Sequence, residues 1–135
     1  MIVLFEIKTF LDILGTLGTL TIGEMPATPD AIGTLREYGG QIPDRKFGVT
    51  GIGYEKPSIQ LCFRGAPHDY SGPRTKSEIA WKALATVVPG ALCAGVSTEY
   101  LMITPIQSPF PLGPMDANNR HIIACNFWIT KVPSV

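Results

Sequence analysis

The residues able to carry chemistry are few and scattered. The chain holds two histidines, His68 and His121, and three cysteines, Cys62, Cys93 and Cys125. His68 stands beside Asp69, and a histidine held by a carboxylate next to a serine or cysteine would make a hydrolytic constellation. Adjacent residues in a turn rarely aim at one substrate atom, however, and no nucleophile-elbow pattern is present, so His68 and Asp69 read as a solvated turn pair. A small α+β hydrolase using His68 or Cys62 is the alternative of the enzyme class. Reactive cysteines are exposed thiolates, whereas Cys62 and Cys125 lie in apolar alternating runs, where a free thiol behaves as a small hydrophobe. A metal site needs three or four His, Cys, Asp or Glu side chains at coordinating geometry, and no such spacing occurs. Gly48-Val-Thr-Gly-Ile-Gly53 matches neither phosphate-loop pattern and runs toward a strand instead of a helix N-terminus. The residues therefore predict no enzyme, no cofactor and no metal.

The elements that would position these residues follow from periodicity. Residues 2–14 read as a helix, with Val3, Ile7, Phe10, Leu11 and Leu14 on one stripe, Glu6, Lys8, Thr9 and Asp12 on the polar side, and Gly15 as the stop. Leu20 to Pro26 is a short extended piece. Residues 31–38 form a strand ended by Gly39-Gly40, and residues 41–57 a Gly- and Pro-containing loop. Ser58 to Arg64 alternates Ile59, Leu61 and Phe63 with Gln60, Cys62 and Arg64, the pattern of a half-buried strand. A second helix is predicted over about 73–88, with Ile79, Ala80, Ala83, Leu84, Val87 and Val88 as its apolar set. Thr75 and Glu78 have capping-box spacing, and Pro89-Gly90 is the stop. Residues 98–104 read as a strand. Pro105, Pro109, Pro111 and Pro114 make an extended loop. The last strand, 120–131, is apolar on both faces and so is central or covered on both sides. His121 opens it on one of those apolar faces. Trp81 and Trp128 sit inside elements as core or interface anchors. The order predicts one α+β domain over 1–135, with two main helices packed on a mixed, mostly antiparallel sheet.

Composition narrows the function classes. At 135 residues the chain builds its own core without disulfide or metal. Eleven Lys+Arg balance eleven Asp+Glu, which argues against wrapping nucleic acid. Zero net charge also leaves self-association unopposed. Only 16% of residues are charged, below the roughly 25% of typical domains, so part of the surface is free of charge and can form an interface. The apolar N-terminus lacks a basic flank, and Glu6, Lys8, Asp12, Gly15 and Gly18 interrupt it, so neither a signal peptide nor a membrane span is expected. Three unpaired cysteines fit synthesis in a reducing compartment.

An ordered set of pieces carries further information. Glu37-Tyr-Gly-Gly40 follows a strand. Lys56-Pro-Ser-Ile-Gln-Leu-Cys-Phe-Arg-Gly65 supplies a Pro-x-x-Gln-x-x-x-Arg-Gly strand, and a helix follows after Tyr70. Then come Gln107-Ser-Pro-Phe-Pro-Leu-Gly113, Asp116, Asn119-Arg120 and a strand through Cys125-Asn-Phe127. Over roughly 20–131 this order resembles the minor capsid or tail-terminator proteins of long-tailed bacteriophages. The resemblance implies a structural virion protein at the neck, made in the host cytoplasm, forming a hexameric ring that ends tail-tube growth and presents a head-joining surface. A head-closure or other neck protein is the alternative within that class. The implied partners are further copies, the tail tube protein and a head-closure or connector protein. DNA passes through such a ring without sequence-specific reading, and no membrane is involved. On this reading Arg64 is a candidate for an intersubunit ion pair with a carboxylate such as Asp116. Tyr38, Arg120, and Pro109 and Phe110 of the 105–114 loop are candidate interface residues toward other copies, the tube or the connector.

Overall fold

The computed structural model describes residues 2–40, 44–45, 52–90, 92 and 98–132. Helix α1 spans Ile2–Leu14. Val3, Leu4, Ile7 and Leu11 form its buried stripe, and Phe10 and Leu14 pack at the margin. Its N–H-to-carbonyl ladder stops at Gly15, whose φ of +72° is a left-handed conformation that costs glycine nothing. Glu6 departs from the expected polar side. It is buried, accepting the Tyr100 hydroxyl at 3.0 Å and the Thr98 N–H at 3.4 Å, and so ties α1 to the strand that begins at Tyr100.

One sheet organises the molecule. Its strands are β1 (Leu20–Ile22), β2 (Ile32–Tyr38), β5 (Ser58–Pro67), β6 (Tyr100–Pro105), β7 (Phe110–Pro111) and β8 (Arg120–Lys131); β3 (Asp44–Arg45) and β4 (Ile52–Tyr54) form a separate antiparallel pair. The order is β1-β2-β5-β8-β6, with β7 also on β8. β1 runs parallel to β2, and the other pairings are antiparallel. β8 is thus the central strand its two apolar faces predict, paired with β5 on one side and with β6 and β7 on the other. The 105–114 stretch is not wholly loop, because Phe110 and Pro111 pair with Ala124 and Ile123. Proline is tolerated there because β7 is an edge. The 41–57 stretch likewise contains the β3–β4 pair.

Helix α2 spans Ser71–Ala85, two residues earlier at its start and three at its end than the apolar pattern predicts. Pro73, Ser77, Ala80 and Leu84 face inward, while Ile79 and Val88 of the expected apolar set are exposed. Its start is held by Asp69, which accepts the Gly72 N–H at 3.0 Å, and not by Thr75 and Glu78. Glu78 instead accepts from Arg74 Nε at 3.1 Å. The helix approaches β5 closely enough that a Cβ on Gly65 would lie 2.7 Å from Pro73 Cδ and 2.9 Å from the Asp69 carbonyl oxygen.

Both helices cover the same face of the sheet. Leu35, Ile59, Leu61, Phe63, Ile103, Cys125, Phe127 and Ile129 meet α1 and α2 in one core. Each such aliphatic or aromatic side chain contributes about 1.5–3 kcal/mol on burial. The side chains alternating with these, Thr34, Arg36 and Tyr38 on β2, Ser58, Gln60, Cys62 and Arg64 on β5, and Ile122, Ala124, Asn126 and Trp128 on β8, point to the opposite face, which no helix among the described residues covers. The architecture is the two-helix α+β arrangement expected from the element order.

Candidate functional site

β1 and β2 are parallel, so residues 23–31 must carry the chain back before β2 begins. This arm crosses one end of the helix-free face, and two arginines fasten it. Arg64 is only 4% exposed. Its Nε donates to the Asp30 carbonyl at 3.0 Å, and its Nη2 to the carbonyls of Pro26 at 2.6 Å and Pro29 at 2.9 Å. Thr34 Oγ1 lies 3.4 Å from the Glu24 carbonyl beside it. Arg120, also buried, donates from Nη1 to the Ala27 carbonyl at 2.8 Å and to Asp30 Oδ1 at 3.0 Å, and from Nε to Asp116 Oδ2 at 2.9 Å.

Asp116 is the hub of the turn that starts β8. Its Oδ1 accepts the N–H groups of Asn118 and Arg120, both at 2.9 Å. Asn119 in the same turn has φ +59°. These contacts, led by the Arg120 backbone N–H and joined by its guanidinium, hold the Asp116 carboxyl below its ordinary value. Burial, and then the charge of Arg120, hold the Arg64 guanidinium below its usual range. The partner of Asp116 within the chain is therefore Arg120, and the fork of Arg64 is spent on the arm's carbonyls, facing inward.

The other residues singled out in the sequence lie elsewhere. The Pro109 carbonyl accepts from Arg74 Nη1, and the Gln107 carbonyl accepts from Trp81 Nε1 at 3.1 Å, so α2 pins the loop that leads into β7. Phe110 is half-buried in β7. Tyr38 ends β2 in the row Tyr38, Ser58, Trp128, at the far end of the helix-free face from Arg64. Three places thus result: the arm clamp of Arg64, Arg120 and Asp116; the β7 edge; and the Tyr38 end. Arg36, Asn126, Met102 and the exposure of Trp128 at that last place were not anticipated. The only sequence signal for them is the alternation that sets Asn126 between Cys125 and Phe127.

The residues able to do chemistry do not converge. Cys62 lies within β5 and His68 in the turn that follows the strand, six positions further on. Cys62 is buried, and desolvation pushes its thiol above the ordinary value, the reverse of what a nucleophile requires. Burial and the neighbouring Cys62 push Cys125 up to about 12. Asp69 is engaged in capping α2, and His68 has φ +61° in the turn before it. His121 packs edge-on against the Tyr70 ring, with centroids 5.3 Å apart. Cys93 and residues 48–51 of the Gly48–Gly53 run lie outside the described residues, and the rest of that run, Ile52 and Gly53, begins β4. Among the described residues no group of three or more His, Cys, Asp or Glu could hold a metal ion, and no helix is long and apolar enough to cross a membrane.

A family model described as bacteriophage tail terminator protein matches residues 11–133, from the last turn of α1 through β8. No curated protein matches the chain.

Proposed function

The chain belongs to the bacteriophage tail terminator family, and from that premise we propose that it closes the growing end of the tail tube as a hexameric ring. In this role it stops tube growth and offers the surface on which the head joins. The observation that carries the reading is the family match, which takes in the whole sheet, α2 and the arm clamp. A structural virion component is what membership implies. The finer assignment, a place at the neck between tube protein and connector, is our reading.

Two physical features support it. Zero net charge and a low density of charged residues suit close packing of identical copies, since little repulsion opposes it. The clamp of Arg64, Arg120, Asp30 and Asp116 fixes loop positions that would otherwise wander, and a ring requires every copy to present the same surface. The role is non-enzymatic on this reading: Cys62 is buried and desolvation pushes its thiol up, which does not suit a nucleophile. Synthesis in the host cytoplasm and passage of DNA through the ring without base reading complete the proposal. A C-terminally tagged copy expressed in the phage, imaged by electron microscopy with a label on the tag, tests it. Label at the neck of tailed particles is the expected result. Label absent from every particle overturns the reading.

A further inference from the structure

The half of the helix-free face not covered by the arm has unmet bonding capacity. All three buried side-chain polar atoms without a hydrogen-bond partner among the described residues lie on it: Arg36 Nε, Ser58 Oγ and Asn126 Oδ1. Ser58 Oγ falls outside hydrogen-bond geometry even with the nearby Tyr38 hydroxyl. Arg36 and Asn126 share one row with Gln60 between them, and Ser58 lies in the next row, between Tyr38 and Trp128. Beside them, large apolar side chains stand open: Trp128 is 40% exposed and Met102, on neighbouring β6, 53%. These three atoms are shut off from solvent, so what stands open at this end is apolar: Tyr38, Trp128 and Met102 form an exposed patch of the kind that marks an interaction surface.

The chain also carries a matching layer. Phe5, Thr9, Asp12 and Ile13 fall at i, i+4, i+7 and i+8 along α1, on the side directly opposite its buried stripe. Phe5 is 55% exposed and Ile13 64%. The outer side of α2 has no such stripe; it carries Thr75, Glu78, Lys82 and Thr86 around Ile79. A sheet face lacking a helix and a helix face lacking a sheet are what each other requires. They lie on opposite sides of the molecule and cannot meet within one copy.

Resting on the ring reading above, we infer that the outer stripe of α1 in one copy docks on the helix-free sheet face of the next. Phe5 and Ile13 lie about 12 Å apart along the helix axis. Tyr38 and Trp128, two strands apart, span about 10 Å, and Met102 on the next strand extends the patch to about 14 Å. The lengths therefore match. The charges match as well: Asp12 is held by the half-exposed Lys8, at 2.7 Å, and can be redirected to the guanidinium of Arg36, a half-buried residue on that face. Because the two patches differ and face away from each other, the contact is head-to-tail, the kind that closes into rings when the rotation per copy allows. Phe5 and Thr9 precede the residues that match the family model, and Asp12 and Ile13 fall within them.

Native mass spectrometry and sedimentation of the full chain, alone and with purified tail tubes, test the contact together with a photo-crosslinker at position 13. The expected result is a crosslink from position 13 to residues 36–38, 102–104 or 126–130 of a second chain. Asp12→Arg and Arg36→Asp should each raise the assembly midpoint at least about tenfold, and the double reversal should restore it. Assembly that ignores both reversals, with crosslinks elsewhere, overturns the docking and leaves the ring standing. A chain that stays monomeric even on tubes overturns the ring and the docking together. Should Arg36→Asp fail to fold, Phe5→Ser with Ile13→Ser serves in its place. These exposed positions are expected to leave the monomer's thermal unfolding unchanged and to weaken assembly by the same factor, and unaltered assembly refutes the contact.

Discussion

Replacing Arg64 by methionine isolates what the arm clamp contributes. Methionine keeps the apolar stem and removes the guanidinium, so the loss reports on the hydrogen bonds and not on a cavity. Three carbonyls, those of Pro26, Pro29 and Asp30, lose their donor. Hydrogen bonds to charged groups contribute about 1.5–3 kcal/mol each when counted singly. They are not additive here, because the released arm can turn its carbonyls to water. The remaining hold on residues 26–30 is Arg120, through the Ala27 carbonyl and Asp30. The expected loss is about 3 kcal/mol, a large share of the roughly 5–15 kcal/mol that holds a domain together, and about 10 °C in thermal midpoint. Urea unfolding measures the loss, and hydrogen exchange over residues 24–35 locates it. Faster exchange in the arm and in β2, with α2 unchanged, is the expected pattern. A loss under about 1 kcal/mol with arm exchange unaltered would refute the idea that Arg64 fastens the arm.

Other expectations follow from single contacts. Gly65→Ala forces a methyl against Pro73 and the Asp69 carbonyl and should destabilise by about 1–3 kcal/mol in urea unfolding; a neutral result would mean that β5 and α2 separate freely. Asp116 has a carboxyl held below its ordinary value of 3.8, so its contribution is full above the unfolded value and is lost as pH falls through the folded one. Asp116→Asn should therefore unfold more readily than wild type at neutral pH, with the difference in thermal midpoint closing as pH drops below that value; a gap independent of pH contradicts this. Iodoacetamide at neutral pH should leave Cys62 and Cys125 unmodified in the folded chain and label both in urea, and rapid native labelling of Cys62 would reopen the enzyme reading.

Most of the fold was legible because it rests on periodicity. The alternation through Ser58–Arg64 and 120–131 located β5 and β8, and the apolar runs on both faces of 120–131 placed β8 at the centre. α1 was legible for the same reason, except that Glu6 looked like a solvent residue. The Tyr100 hydroxyl and the Thr98 N–H, both far off in sequence, make its burial tolerable. α2 was misplaced at both ends because its cap, Asp69, lies before the apolar pattern begins. Its buried stripe also includes Pro73 and Ser77, which hydropathy does not mark. β7 was hidden because prolines argue against strands, and an edge position removes that objection. In the candidate site, the sequence order brought Arg64, Asp116 and Arg120 to notice, but not which of them pair. That depends on the crossover imposed by a parallel β1, which composition does not reveal. Arg36 and Asn126 gave almost no signal, since an unpartnered atom exists only once the neighbours are in place.

The central claim is that this chain ends tail growth. Electron microscopy of lysates from a phage lacking the gene, with the length of every tail measured, tests it most directly. Overlong tubes without heads, shortened to wild-type length when the protein is supplied in trans, are the result this account predicts. Tails of normal length that merely fail to join heads would contradict it and assign the chain to closing the head instead.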